Sequence, residues 1–407
     1  MTQIEQQKTL FQRLFQIENI FLVYIALKPI YIFRSGLPQI SDMFFLVCFS
    51  LLCFKLQKES NLSLKEKRII VLFVVTIFYQ AFIQFVYFFL TSKSEFIFKV
   101  LFYLFNAISS IFFFLVFHKA PREKMRDIVL NGCFLSCIVI IAGLIFNRGS
   151  SLRQTSFFNN PNQLGYYCLL VLTATLYLSP SNFSKIKLLI IHSSIIYASV
   201  LSYSKGAVIG IILAYFSYFS FRLNLKRPLY FIIYVAFIIA SSYAVYDFIN
   251  NDDGIATRNE AVNNLRRRIV NLRDENDSDL YNGRGYGRVY EVMPHILWGV
   301  AEGDYDRFRI MSGLEIHSTF ISLLVSYGVI GLTLYIVLVM KLICADRFSV
   351  TFKNCCILSG VLFYALSHNG VRNTFLWIIL SLICLCSEDS DLPSKSPDET
   401  SDVKTSS

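Results

Sequence analysis

The sequence predicts an all-α polytopic membrane protein, with about twelve transmembrane helices and one large extracytoplasmic loop between the ninth and tenth helices. Of its 407 residues, 55% are hydrophobic and 16% are charged, whereas soluble domains have roughly 45–50% apolar and about 25% charged residues. Uncharged apolar runs of about 18 or more residues recur along the chain, and such runs cross a bilayer as helices. The alternating pattern of a transmembrane β-barrel is absent.

Twelve apolar segments are candidate spans. The first six are Ile20–Phe33, Ile40–Leu56, Ile69–Leu90, Phe98–Phe117, Ile128–Phe146 and Leu164–Leu178, and the next six are Ile186–Tyr203, Gly206–Phe221, Leu229–Phe248, Thr319–Ile343, Cys355–Leu366 and Thr374–Cys386. Several are shorter than the roughly 20 residues that a perpendicular span needs. In the first segment, Lys28-Pro29 is expected to kink or end the helix.

The distribution of basic residues predicts the orientation. With a cytoplasmic amino terminus, the inside loops hold 16 Lys and Arg and the short outside loops hold 6. Basic residues concentrate in cytoplasmic loops, so both termini are expected in the cytoplasm and the loop 250–317 outside it. The net charge of +10 is then a property of the cytoplasmic loops, and we expect no nucleic-acid partner.

The chain therefore divides into four regions: transmembrane helices 1–9 (1–249), the loop with amphipathic helices (250–317), helices 10–12 (318–386) and a disordered cytoplasmic tail (387–407). All ten cysteines lie in or beside apolar runs, which indicates buried apolar side chains rather than disulfides or zinc ligands. The Asp304-Tyr305-Asp306 motif is too short to predict a cation site. We expect neither a metal nor a cofactor.

The long loop contains nine arginines and no lysine, and arginine can hold a phosphate or carboxylate by two parallel hydrogen bonds. Arg284 and Arg288 lie in a glycine-rich approach to a predicted helix, a position that suits an anion; the alternative is a salt bridge to the acidic residues nearby. His317 ends the loop. A histidine there can take a proton from an attacking hydroxyl, or it can be an interfacial side chain with a structural hydrogen bond.

Two shorter connections also carry polar residues. Lys205 lies at an outside junction between two segments, where it either binds an anion or extends its amine to the membrane surface. Arg153, Asn160 and Asn162 precede the sixth segment and are candidate substrate-binding residues. Asparagine and proline are also ordinary turn and helix-cap residues, so a structural role is the alternative.

The order of these motifs resembles a known family. Asn160-Pro161-Asn162 precedes one span and Ser204-Lys205-Gly206 joins two; the loop has Gly-Arg and Tyr290-Glu291; and His317-Ser318-Thr319-Phe320 leads to Tyr327-Gly-Val-Ile-Gly331. This plan resembles the O-antigen ligase and O-antigen polymerase superfamily of bacterial envelope glycosyltransferases, most specifically from Ser202 to Tyr335.

The resemblance implies a metal-independent glycosyltransferase of the inner membrane that is active at the periplasmic face. The donor would be an undecaprenyl-diphosphate-linked glycan, and the acceptor a saccharide or lipid A-core, with a chain-length regulator as a further partner. Arg284 or Arg288, with Lys205, would bind the donor diphosphate, and His317 would activate the acceptor hydroxyl. The family usually has arginine where this chain has Lys205, which favours a polymerase of O-antigen, capsule or exopolysaccharide repeats. The alternatives are a ligase that transfers the lipid-linked glycan onto lipid A-core or a protein and, less favoured, a transporter or flippase of lipid-linked sugars.

Overall fold

The computed structural model describes residues 18–32, 39–56, 62–92, 95–118, 120–147, 153–178, 183–222, 297–299, 319–345, 347–367 and 373–388. These ranges are helical, with no strand among them. Their helices are α1 (Asn19–Leu27), α2 (Ile40–Leu56), α3 (Leu64–Thr91), α4 (Glu95–Phe117), α5 (Arg122–Phe146), α6 (Pro161–Leu178), α7 (Lys185–Ser202), α8 (Lys205–Arg222), α9 (Thr319–Ile343), α10 (Phe348–Ser367) and α11 (Thr374–Glu388).

Six of the described helices are long and apolar enough to cross a membrane. The spans are Leu64–Leu90, Lys99–Phe117, Arg122–Phe146, Lys185–Ser202, Ser326–Ile343 and Phe348–Leu366. Shorter apolar stretches lie in α2, α8 and α11. The predicted class, an all-helical membrane protein, is confirmed at this level.

The predicted segments match the observed helices closely. Eleven of the twelve contain a helix, and the ninth, Leu229–Phe248, lies outside the described residues. The first predicted segment is too long, because α1 ends at Leu27. The Lys28 backbone N–H donates to the Ile25 carbonyl and caps the helix. Pro29 has no N–H group and cannot continue the helix, as Lys28-Pro29 predicted.

Helices α6 and α11 form the centre of the bundle. Every residue of α6 from Leu164 onward is buried, as is α11 from Thr374 to Ser387. In contrast, α3 exposes Phe78, Phe82 and Phe89 by 71%, 55% and 77%. An exposed phenylalanine row is stable against lipid tails, which are as apolar as a protein interior.

The helices from α1 to α8 alternate in direction, as do those from α9 to α11, and α8 and α9 both begin at the same end. Their termini therefore collect at two ends of the bundle. At one end, the Tyr167 hydroxyl donates to the Ile25 carbonyl at 2.9 Å. At the other, the Asn354 amide donates to the Ile343 carbonyl at 2.7 Å and to the Ser387 hydroxyl at 3.0 Å. We call the first the α6 end, since it carries the amino terminus of α6, and the second the far end.

Helix α9 is kinked at Gly328, which has φ 64° and ψ −170°. The described fragment of the long loop, 297–299, packs against this kink. A methyl group on Gly328 would overlap the backbone of Leu297, and one on Gly299 would overlap the backbone of Ser326. Glycine at both positions lets two backbones touch, so this fragment is fixed against α9 nine residues after the helix begins.

Candidate functional site

The amino termini of α6 and α8 meet at the α6 end. Helix α6 approaches α8 so closely at Gly165 that an added methyl group would lie 2.7 Å from the Ser204 Cβ and 2.8 Å from the Ala207 Cβ. Both helices begin at this contact, α6 at Pro161 and α8 at Lys205. Each helix amino terminus carries roughly half a positive charge, so their partial charges add at one place.

Arg153 joins the two helix termini. Its Nη2 donates to the Asn162 Oδ1 at 3.0 Å, and its Nε donates to the Ser202 carbonyl at 3.4 Å. The neighbouring Gln154 N–H donates to the Leu201 carbonyl at 3.0 Å. The guanidinium is therefore held between the first turn of α6 and the last turn of α7, and the residue remains solvent-exposed.

Asn160 caps α6. Its side-chain oxygen accepts from the Gln163 N–H at 2.9 Å, and Pro161 occupies the first helical position, where a missing N–H costs nothing. The interpretation of this motif as a helix cap is thus confirmed for Asn160, whose side-chain Oδ1 is the capping atom. A ligand contact through the Asn160 amide nitrogen stays a prediction.

Lys205 is the first residue of α8 and is exposed. Just before it, the Ser204 N–H donates to the Ser202 hydroxyl at 3.2 Å. Two cationic side chains, Arg153 and Lys205, thus lie at two adjoining helix amino termini. This arrangement suits an anion, because N–H groups, helix dipoles and formal charges have the same sign there.

Tyr364 of α10 is a neighbour of the site that sequence reasoning missed. Its hydroxyl donates to the Asn162 carbonyl at 3.0 Å, and its ring stacks on Tyr166 with centroids 4.5 Å apart. The buried hydroxyls of Tyr166 and Ser204 have no hydrogen-bond partner of good geometry among the described residues. No motif marks Tyr364, which lies 202 positions from Asn162 in the chain.

A buried ion pair at the same end was also missed. The Lys28 Nζ lies 2.9 Å from the Asp42 Oδ1, and the two side chains are only 4% and 2% exposed. Tyr24 donates to the same oxygen at 3.2 Å. The available signal was the presence of opposite charges in two successive apolar runs, where each requires a partner.

His317, Arg284 and Arg288 lie outside the described residues, so their roles stay predictions. The sequence puts His317 two residues before α9, whose amino terminus lies at the α6 end. No group of three or more His, Cys, Asp or Glu suited to a metal occurs within the described part of the chain.

Comparisons of the chain with protein-family models, curated proteins and solved structures found no match. The likeness to the O-antigen ligase and polymerase superfamily therefore rests on the order of the motifs in this sequence.

Proposed function

We propose that the chain is a membrane glycosyltransferase of the O-antigen polymerase and ligase type, which joins undecaprenyl-diphosphate-linked oligosaccharide repeats at the periplasmic face. The observation that carries the proposal is the meeting of Arg153 and Lys205 at the adjoining amino termini of α6 and α8. Asn162, which accepts a hydrogen bond from Arg153, and Lys205 belong to separate motifs of the family resemblance.

A polyprenyl diphosphate suits this position physically. Its chain must stay in lipid while its charged head stays at the surface. The α6 end offers cations at helix termini, and apolar helices lie directly behind it. The diphosphate is a good leaving group, so the transfer needs mainly positioning, charge stabilisation and one base.

In this proposal Lys205, with Arg284 or Arg288, binds the diphosphate, and Arg153 holds Asn162 in place beside it. The base is His317, which takes the proton of the acceptor hydroxyl as that hydroxyl attacks the anomeric carbon. The bond from that carbon to the diphosphate oxygen breaks, and undecaprenyl diphosphate leaves.

The finer topology is part of the same proposal: twelve spans, both termini in the cytoplasm and the long loop in the periplasm. The support for this topology is that the helix directions bring the basic residues of several connections together at one end of the bundle. The far end carries Lys65, Lys67, Arg68, Lys124, Arg126, Lys185, Lys187, Lys341, Arg347 and Lys353. Such a basic end is typical of the cytoplasmic side.

The test is complementation of a strain that lacks the gene, with surface glycan length read on a gel and variant abundance measured in membranes. Loss of a charged hydrogen bond removes roughly 1.5–3 kcal/mol, so Lys205→Met should reduce polymerisation about tenfold to hundredfold, and Lys205→Arg should retain it. The matched control is Lys185→Met, since Lys185 is also the exposed first residue of a helix but lies at the far end.

His317→Ala should leave single repeats on the acceptor at normal protein abundance. A bare acceptor would instead identify a ligase. Full-length glycan from both His317→Ala and Lys205→Met would refute the proposed site.

A further inference from the structure

Two rows of uncharged polar side chains lie in the interior, one on α3 and one on α4. Thr76, Gln80 and Gln84 recur every fourth residue on one face of α3, and Asn106 and Ser110 do so on α4. All five are buried, at 0–2% exposure. We call these five residues the polar seam. An apolar bundle does not need such residues for packing, and uncompensated burial of amides destabilises a fold.

The two rows are in register. Helix α3 ends at Thr91 and α4 begins at Glu95, so residues equally far from this turn lie at equal depth. Gln80 and Asn106 are each 11 residues from those ends, and Thr76 and Ser110 are each 15. At about 1.5 Å per residue, these layers lie roughly 16 Å and 22 Å from the turn.

Four atoms of the polar seam have no hydrogen-bond partner among the described residues: Gln80 Oε1, Gln84 Oε1, Asn106 Nδ2 and Ser110 Oγ. The Gln84 Nε2 donates to the Tyr327 hydroxyl at 2.8 Å. If the Gln84 amide were rotated by 180°, its oxygen would accept from the Tyr327 hydroxyl and its nitrogen would be unpaired instead. The number of unpaired atoms in the seam therefore does not depend on how this amide is oriented. Buried polar atoms are almost always hydrogen-bonded.

An aromatic pair borders the seam toward the far end, and the loop fragment lies beside it. Phe73 of α3 and Trp377 of α11 have ring centroids 5.4 Å apart. The Tyr79 hydroxyl, on the residue before Gln80, donates to the Tyr327 carbonyl at 3.1 Å and lies 3.4 Å from the Trp298 carbonyl. The Tyr87 hydroxyl donates to the Gly299 carbonyl at 3.4 Å, so the loop fragment runs alongside the seam.

We propose that the polar seam binds uncharged, hydroxyl-bearing molecules, which are ordered water or a sugar unit. Two amide oxygens accept hydrogen bonds, one amide nitrogen donates them and one hydroxyl does both, and a hydroxyl ligand satisfies all of these. An ion is disfavoured because none of the five side chains is charged and burying an unpaired charge is costly. The inference is independent of the proposed glycosyl transfer, since water binding requires no activity.

The first test uses two variants that remove an unpaired polar atom at nearly constant size, Gln80→Met and Ser110→Ala. In a dry seam, removal of an unpaired group leaves the protein equally or more stable. In an occupied seam it breaks a hydrogen bond to the ligand, so Tm of the purified full chain should fall by about 1–2 °C or more. The controls are Ile83→Met, at a buried apolar position of α3, and Ser109→Ala, since the buried Ser109 hydroxyl already donates to the Phe105 carbonyl.

The second test needs no variant. Synchrotron hydroxyl-radical labelling of the wild-type protein in nanodiscs should modify Tyr103 and Tyr327, whose rings pack edge to face beside Gln84. The control is Tyr167, which is fully buried with its hydroxyl bonded to a backbone carbonyl. If added glucose or N-acetylglucosamine suppresses labelling and raises Tm in wild type but not in Gln80→Met, the ligand is a sugar. Labelling that is insensitive to these sugars indicates water. Labelling no faster than at Tyr167, with Tm unchanged or raised in both variants, would overturn the proposal.

Discussion

Replacing Asp42 by asparagine should destabilise the protein far more than removing an ion pair at its surface. The Lys28 Nζ lies 2.9 Å from the Asp42 Oδ1, and both side chains are almost fully buried. Asp42 also accepts from the Gln39 N–H at 3.0 Å at the start of α2. Asparagine keeps the size of the side chain and a carbonyl oxygen for that contact, so the variant removes chiefly the negative charge.

The expected loss in the free energy of unfolding follows from the Lys28 charge that stays buried in the variant. In the Asp42→Asn variant, the Lys28 ammonium stays buried with only the Tyr24 ring, 5.2 Å away, as a stabilising electrostatic neighbour among the described residues. Removing one partner of a buried pair costs about 3–5 kcal/mol. The cation–π contact is already present in the wild type, so it does not offset this cost, and we expect a loss of about 3–5 kcal/mol. The double variant Lys28→Met with Asp42→Asn should recover most of it, because no charge remains to be desolvated.

The assay is a chemical-denaturation series on the full chain in detergent, with the two single variants and the double variant measured together. The matched control is Glu18→Gln, which breaks the Lys124–Glu18 pair, whose side chains are 49% and 20% exposed. Exposed pairs contribute at most about 1 kcal/mol. A cost for Asp42→Asn no larger than that for Glu18→Gln, or a double variant no more stable than the worse single variant, would refute the reasoning.

Two further predictions concern backbone geometry. Asn160→Ala removes the cap on the Gln163 N–H and should cost about 1 kcal/mol in thermal unfolding, whereas Asn160→Asp should restore it; equal losses would contradict the capping role. Gly328→Ala requires a conformation reserved for glycine, which costs about 1–3 kcal/mol, and its methyl group would displace Leu297. Protease sensitivity near Leu297 should rise in this variant but not in Val329→Ala, and an unchanged digest would argue against the packed kink.

The apolar runs alone predicted much of the architecture. The bounds of α2 and α9 coincide with the predicted segments, and α1 ends before the end of its segment. The remaining described helices differ mainly by polar residues at their ends. Run length is informative because a helix in lipid must satisfy its own backbone over the whole apolar thickness. The Asn160-Pro161 cap was also readable, since capping is a contact between residues three apart in the chain.

The sequence did not predict which helices occupy the centre. Helix α11 is buried and α3 exposes phenylalanines, although both are strongly apolar. In water, apolar content separates a core helix from a surface helix. In lipid both environments are apolar, so hydropathy does not distinguish them.

What the sequence determined by itself is therefore the class of the protein, the positions of its helices and the local contacts at their ends. Tertiary structure alone decided the long-range contacts, such as Arg153 on Asn162 and Ser202, Tyr364 on Asn162, and Lys28 on Asp42. The physical reason is that helix periodicity fixes only contacts within a turn or two. Polar side chains on separate helices must find one another through the packing of the whole bundle, where each buried polar group requires a partner.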